Sequence, residues 1–234
     1  MKKRIGLLGL GLALLLVMVL VLLPSLQTKA DAAVADSITI GTTILKSGQY
    51  LPRGASYVVN TKPDGGYAYY NNGVLSLDGF SYWERSGNDA IRADGDLTIT
   101  LIGTNGIYID ENFTSKGNCI DVDGNLTING SGPLTLSSRS YNAITVSGNL
   151  NFNQTGKVTV TTNYGAAVYC NGAVTINGNL SVTSVANGMG IFSKNTLTMN
   201  SGTVSVSADA PGTYAAIESS AGGVVINGGN LTVT

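Results

Sequence analysis

A short phrase returns, rewritten, along the second half of the chain. It reads DGNLTINGSGPLTL from Asp123, then SGNLNFNQTGKVTV, NGAVTINGNLSV, KNTLTMNSGTVSV and GGVVINGGNLTV. Nothing else in the 234 residues constrains the fold as strongly. A unit recurring every ~20–50 residues is one supersecondary element that cannot bury its apolar face alone, so copies must stack to share a core. Anchored on Ile91, Ile120, Ile144, Val168, Ile191 and Ile217, the units are spaced 29, 24, 24, 23 and 26 residues apart.

Three alternations recur inside each unit. The first is Ile120/Val122, Ile144/Val146 and Val168/Cys170; the second is Leu126/Ile128, Leu150/Phe152, Val174/Ile176, Leu197/Met199 and Val224/Ile226. The third is Leu134/Leu136, Val158/Val160, Leu180/Val182, Val204/Val206 and Leu231/Val233. Period-2 alternation puts one row inside and the Thr, Ser and Asn between in water. Three short strands per repeat describe a three-sided coil. The expected fold is all-β: a single-stranded parallel β-helix of six coils, one per anchor, behind an N-terminal β cap. A β-sandwich is the competing all-β reading, but it does not explain why the same turn residues return at a fixed phase.

Those turn residues form two columns. After each second strand stands an Asn: Asn129, Asn153, Asn177, Asn200 and Asn227. Stacked one coil apart, at roughly 4.8 Å, their amides can hydrogen-bond as a ladder, and Asn also tolerates a left-handed corner. Before each second strand stand Gly95, Gly124, Gly148 and Gly172, with Asn195 next in line. A column restricted to Gly and Asn leads one to expect positive φ there.

The N-terminus is a separate object. Lys2, Lys3 and Arg4 precede an uncharged apolar run from Ile5 to Leu23, and Ala30-Asp31-Ala32 and Ala33-Val34-Ala35 follow as small-residue cleavage patterns. This is the layout of a secretory signal peptide over residues 1–35, cut near 32/33 or 35/36. The alternative is a retained membrane anchor, for which the run is just long enough. Either places the rest of the chain outside the cytoplasm, secreted or attached to a cell surface. With charged residues at 12% and no basic stripe, nucleic acid is not an expected partner. At the other end, the sequence stops inside a third strand, so more coils, a cap or a further domain are expected after Thr234.

Cys119 and Cys170 invite a disulfide in an exported protein. Two coils, however, separate them by about 10 Å, beyond the ~7 Å that a disulfide spans between Cα atoms. Both are expected to stay as thiols, with Cys170 in the inward column of Ala93, Val122 and Val146, and Cys119 at the opposite parity.

AIRADGDLTITLIGTNGIYI, GNLTINGSGPLTL and GGVVINGGNLTV, led in by NNGVLSLDGF, resemble the secreted β-helical repeats of Gram-positive bacterial surface proteins. Those repeats belong to the pectate-lyase-like, right-handed β-helix superfamily and are often labelled carbohydrate-binding. The resemblance covers residues 65–234 and implies a right-handed coil, a polysaccharide ligand and, in some relatives, calcium held by acidic loops.

Acids concentrate at Asp94, Asp96, Asp110, Glu111, Asp121 and Asp123; beyond residue 125 only Asp209 and Glu218 remain. In register, Asp94 stacks beside Asp123 and Arg92 beside Asp121. One reading is an exposed corner with a cross-coil ion pair. A second is a calcium site from Asp94, Asp121 and Asp123, because oxygen ligands on adjacent turns suit that ion. Glycoside hydrolysis needs two carboxyl groups about 5–9.5 Å apart; Asp209 and Glu218 sit in different coils and the chain has no His, so it is not expected to be an enzyme.

Tyr67, Tyr69, Tyr70, Phe80, Tyr82 and Trp83 crowd into 17 residues, while the last 80 hold only Tyr164, Tyr169, Phe192 and Tyr214. Tyr67, Tyr69, Tyr70, Tyr82 and Trp83 are candidate sugar-stacking residues. The competing role is structural: residues 36–83 read as strands (SITI, TTIL, SYVVN) and turns (PDGG, NNG) that cover the first coil, with 84–234 forming the helix. The function expected is a non-catalytic surface protein that binds polysaccharide or host glycan. A structural stalk is the alternative, and a polysaccharide lyase trails both.

Overall fold

β-Branched residues suit a pleated, half-buried surface, and they fill the alternating runs from Ile91 onward. The computed structural model describes residues 33–109, 117–139, 141–186, 188–209 and 215–234, and every regular element among them is a strand. Most of the expected export signal, together with Asp110, Glu111 and Tyr214, lies outside the described residues.

Four strands precede the stack: β1 (Ser37–Ile40), β2 (Thr43–Lys46), β3 (Gln49–Pro52) and β4 (Tyr67–Asn71). The first coil is β5 (Val74–Asp78), β6 (Ser81–Glu84) and β7 (Ile91–Ala93). The second is β8 (Leu97–Ile102), β9 (Asn105–Ile109) and β10 (Ile120–Val122); the third is β11 (Leu126–Gly130), β12 (Leu134–Ser138) and β13 (Ile144–Val146). Then come β14 (Leu150–Phe152), β15 (Lys157–Thr162) and β16 (Val168–Cys170), followed by β17 (Val174–Ile176), β18 (Asn179–Ser184) and β19 (Ile191–Ser193). The sixth coil is β20 (Leu197–Met199), β21 (Thr203–Ala208) and β22 (Ile217–Ser219), with β23 (Val224–Ile226) and β24 (Asn230–Val233) beyond it.

Equivalent strands pair in parallel and build three sheets. The first runs from β7 through β10 to β22, the second from β5 through β8 to β23, and the third from β6 through β9 to β24. This is a right-handed parallel β-helix of about six turns with three strands per coil. The register matches the repeat, since Ile91, Ile120, Ile144, Val168, Ile191 and Ile217 fall on one line. Each coil turns its apolar pairs inward. In the third coil Leu126, Ile128, Leu134, Leu136, Ile144 and Val146 are all buried, and burying each such side chain stabilises by roughly 1.5–3 kcal/mol before entropy is counted.

The cap is antiparallel. β1 lies antiparallel on β7, with β2 outside it, and β4 lies antiparallel on β5, with β3 outside it. Ile38, Ile40, Leu45, Leu51 and Tyr70 thereby close the top of the core. Parallel pairing starts at Val74, where β5 meets β8, and continues where β6 meets β9; β5 carries the same inward alternation as later coils.

Three corner expectations need correction. The asparagine ladder runs from Asn153 to Asn227: Asn177, Asn200 and Asn227 each donate Nδ2–H to Oδ1 of the residue one coil earlier, at 2.7, 2.9 and 2.8 Å. Asn129 does not join it, because β11 continues through Gly130 and holds Asn129 opposite Thr100 inside the sheet. None of these asparagines has positive φ; Asn72 and Ala186 are the only such non-glycine residues among those described.

The glycine column is not left-handed either. Gly95, Gly124, Gly148 and Gly172 have ordinary φ, but a Cβ on any of them would strike the backbone of the preceding layer. A second ladder runs alongside. Asp96 Oδ1 accepts from Asn125 N (2.6 Å) and Nδ2 (3.0 Å), Asn125 Oδ1 from Asn149 N (2.8 Å), and Asn149 Oδ1 from Ala173 N (2.9 Å).

Neither cysteine forms a disulfide. Cys170 is buried as expected, but so is Cys119. Parity does not hold at a corner, and Cys119 shares an inward column of small residues with Ala90, Ala143 and Ala167. Burial pushes its thiol up to about 12.

Candidate functional site

The crowded aromatics do not form one platform. Tyr67 and Tyr70 are buried in the cap, and the Tyr70 hydroxyl donates to the Ala35 carbonyl while accepting from Gly73 N at 3.0 Å. Phe80 is buried too. Tyr69 lies on the outer face of the second sheet, stacked on Tyr50 at 4.3 Å. Tyr82 and Trp83 stand on β6, at the edge of the third sheet.

Trp83 is 53% exposed and pairs in register with Tyr108 of β9. Their rings stack at 4.4 Å between centroids with 19° between planes. Tyr108 in turn folds its ring over Gly106, where any Cβ would collide with it. Glycine at that outward position therefore lets the tyrosine lie flat and present a face for the indole. The sequence carried this signal in GIYI, one coil after SYW, but a single Tyr there does not stand out without the register.

Beside Trp83 is a pocket of about 300 Å³ lined by Gly54, Ala55, Ser81, Tyr82, Trp83 and Arg85. Its wall is fixed from below. Tyr82 donates its hydroxyl to Glu84 Oε2 at 3.0 Å, and the buried Glu84 also accepts from the Ser86 amide and hydroxyl. Burial first, then the hydrogen bond to Glu84 and the charge of that carboxylate, push the Tyr82 phenol well above its usual range, so it stays a neutral donor. Gly41, at φ +58°, leaves the space its hydroxyl occupies. Below the aromatic pair the third sheet presents hydroxyls in two rows, Ser137, Thr161, Thr183 and Ser207 following Tyr108, and Thr135, Thr159, Ser181, Ser205 and Thr232 following Gly106.

The acidic corner lies on the first sheet and is built around a cation. Arg92 reaches Asp123 at 2.7 Å, Asp94 at 3.2 Å and Asp89 at 3.8 Å, and closes on Asp121 directly. The three candidate calcium ligands Asp94, Asp121 and Asp123 are thus brought together, but around a guanidinium. Asp89, which also accepts from Asn118, is the acid that sequence reasoning passed over. Burial above all, then the charges of Asp89 and Asp123, outweigh Arg92 and push the Asp121 carboxyl up to about 6. Among the described residues no group of three or more acids or cysteines stands so as to hold a metal ion.

A third aromatic pair, Tyr169 and Phe192, stacks at 4.8 Å on the first sheet. Among the described residues the outer side of each of the three sheets therefore carries a stacked pair, and the Trp83 pair adjoins a pocket. No family model matches the chain, and neither a curated protein nor a solved structure matches it.

Proposed function

We propose that the chain is a non-catalytic, exported β-helix protein that binds polysaccharide or a cell-surface glycan on its third sheet. The stacked Trp83–Tyr108 pair beside a pocket carries this reading. A sugar ring has apolar C–H faces and a hydroxyl rim. A half-exposed indole suits the face, while Ser81, Tyr82 and the hydroxyl rows below suit the rim. Mostly apolar clefts with a few fixed polar groups are the usual form of small-ligand sites. The resemblance to Gram-positive surface repeats supports export and a carbohydrate ligand.

The test is retention of the secreted protein on immobilised plant, microbial and host glycans, with and without calcium. Trp83→Ala is expected to weaken specific retention about tenfold, the equivalent of ~1.4 kcal/mol, with an unchanged melting temperature. If calcium is required, the acidic corner takes over as the site. The second reading, a structural spacer, is favoured by the regular repetition of Thr, Ser and Asn on the outer faces of the lower coils. A folded protein retained by no glycan would establish it over the first.

A further inference from the structure

Residues 33–35 cover the end of the stack at the second-sheet corner, where the described residues supply no earlier coil. Down the glycine column each layer rests on the one before: Gly148 N donates to Gly124 O at 2.9 Å, and Asp123 N to Ala93 O at 2.9 Å. Among the described residues, the top of that column, Gly95-Asp96, has no earlier coil to rest on. There Asp96 N donates to Ala33 O at 3.1 Å, and Val34 forms a parallel bridge with Asp96. The Ala33 carbonyl fills the space that a Cβ on Gly95 would need, and the Val34 side chain fills the equivalent space at Gly73. Ala35 is buried, and its carbonyl accepts the hydroxyl of the buried Tyr70. Ala33 and Val34 themselves stay exposed on their outer side.

This bears on which of two small-residue patterns an export peptidase would read. Ala30-Asp31-Ala32 and Ala33-Val34-Ala35 are equally acceptable as sequence. The second is held by the fold: Ala35 is buried with its carbonyl accepting from Tyr70, and the Ala33 carbonyl packs on Gly95 and accepts from Asp96 N. A cut after Ala35 would remove the segment, leaving Asp96 N without its acceptor and Tyr70 without its hydrogen-bond acceptor inside the cap.

We propose that the export peptidase hydrolyses the Ala32–Ala33 bond, and that the mature protein begins at Ala33. Water adds to the Ala32 carbonyl carbon and the C–N bond breaks. Ala32 leaves as a carboxylate, and the new Ala33 amine takes up a proton. The exposed position of Ala33 suits a solvated ammonium, and Ala33-Val34-Ala35 is retained as the uppermost layer of the second-sheet corner. The inference rests on the N-terminal run acting as an export signal and is independent of the glycan reading.

The full chain, produced in an exporting bacterium, tests it through the intact mass and N-terminal sequence of the released protein. A start at Ala33 is expected; a start at Asp36, or release without a cut, overturns the proposal. Ala32→Arg removes the small residue ahead of the proposed bond without touching the described contacts. It is expected to leave the leader attached, and a product starting at Asp36 would show that the segment is not held. In the released wild type the Asp96 amide should exchange slowly with solvent. Free exchange there would mean that the layer over Gly95 is not formed.

Discussion

Arg92 and Asp121 are register partners on adjacent coils, and the guanidinium of one closes on the carboxylate of the other. Asp121 is mostly shielded, with its side chain 14% exposed, whereas Arg92 is 40% exposed. An exposed ion pair contributes ~0–1 kcal/mol, while removing one partner of a buried pair costs ~3–5 kcal/mol. This pair lies between those limits and has three further acids around it. Arg92→Met is expected to cost about 1–2 kcal/mol in urea unfolding, because Asp89, Asp121 and Asp123 then repel one another without a counter-charge. An unchanged unfolding midpoint would reduce the cluster to surface decoration.

The same corner sets a pH dependence. An unfolded aspartate titrates near ~3.9, but folded Asp121 keeps its proton up to about 6. Between those values the folded state binds more protons than the unfolded one, so unfolding free energy falls as pH rises. The contribution of this group is therefore greatest below the lower value and is lost on passing the upper one. Asp121→Asn should be less sensitive to pH across that window than the wild type. Melting temperatures measured from acid to neutral pH should converge at the acid end, and a parallel pair of curves would refute the assignment.

Asn177 gives and receives a ladder bond, at 2.7 and 2.9 Å, whereas Asn129 takes part in neither. Exposed hydrogen bonds contribute roughly 0.5–1.5 kcal/mol each. Asn177→Ala should therefore cost about 1–2 kcal/mol, and Asn129→Ala less than about 0.5 kcal/mol. Equal losses would mean that the column acts through backbone preference and not through its amides.

The strands were legible because a two-residue alternation and a coil-length repeat report the same inward rows, from Ile120 and Val122 down to Val204 and Val206. The register of Arg92 with Asp121 followed from the same count. What stayed hidden depends on how corners pass one another. Cys119 is buried because a corner, unlike a strand, does not alternate. The Trp83–Tyr108 stack depends on a glycine, Gly106, that no aromatic count includes. The role of Asp96 as first member of a second ladder was concealed by reading it as one more acid.

The glycine column offers the sharpest separation of two causes. If Gly148 served a left-handed corner, Asn would replace it well and Ala less so. Its φ is not positive, and the site where a Cβ would stand is 2.6 Å from Gly124 O and also meets the Asn125 side chain. Any side chain there forces adjacent coils apart at a point where Gly148 N already bonds Gly124 O at 2.9 Å. Overpacking of this kind costs about 1–3 kcal/mol. Gly148→Ala is expected to lose that amount, and Gly148→Asn at least as much, because the larger side chain cannot leave the gap between coils. Chemical unfolding of the two variants reads the order directly. Rescue by Asn over Ala would restore the conformational explanation and exclude the steric one.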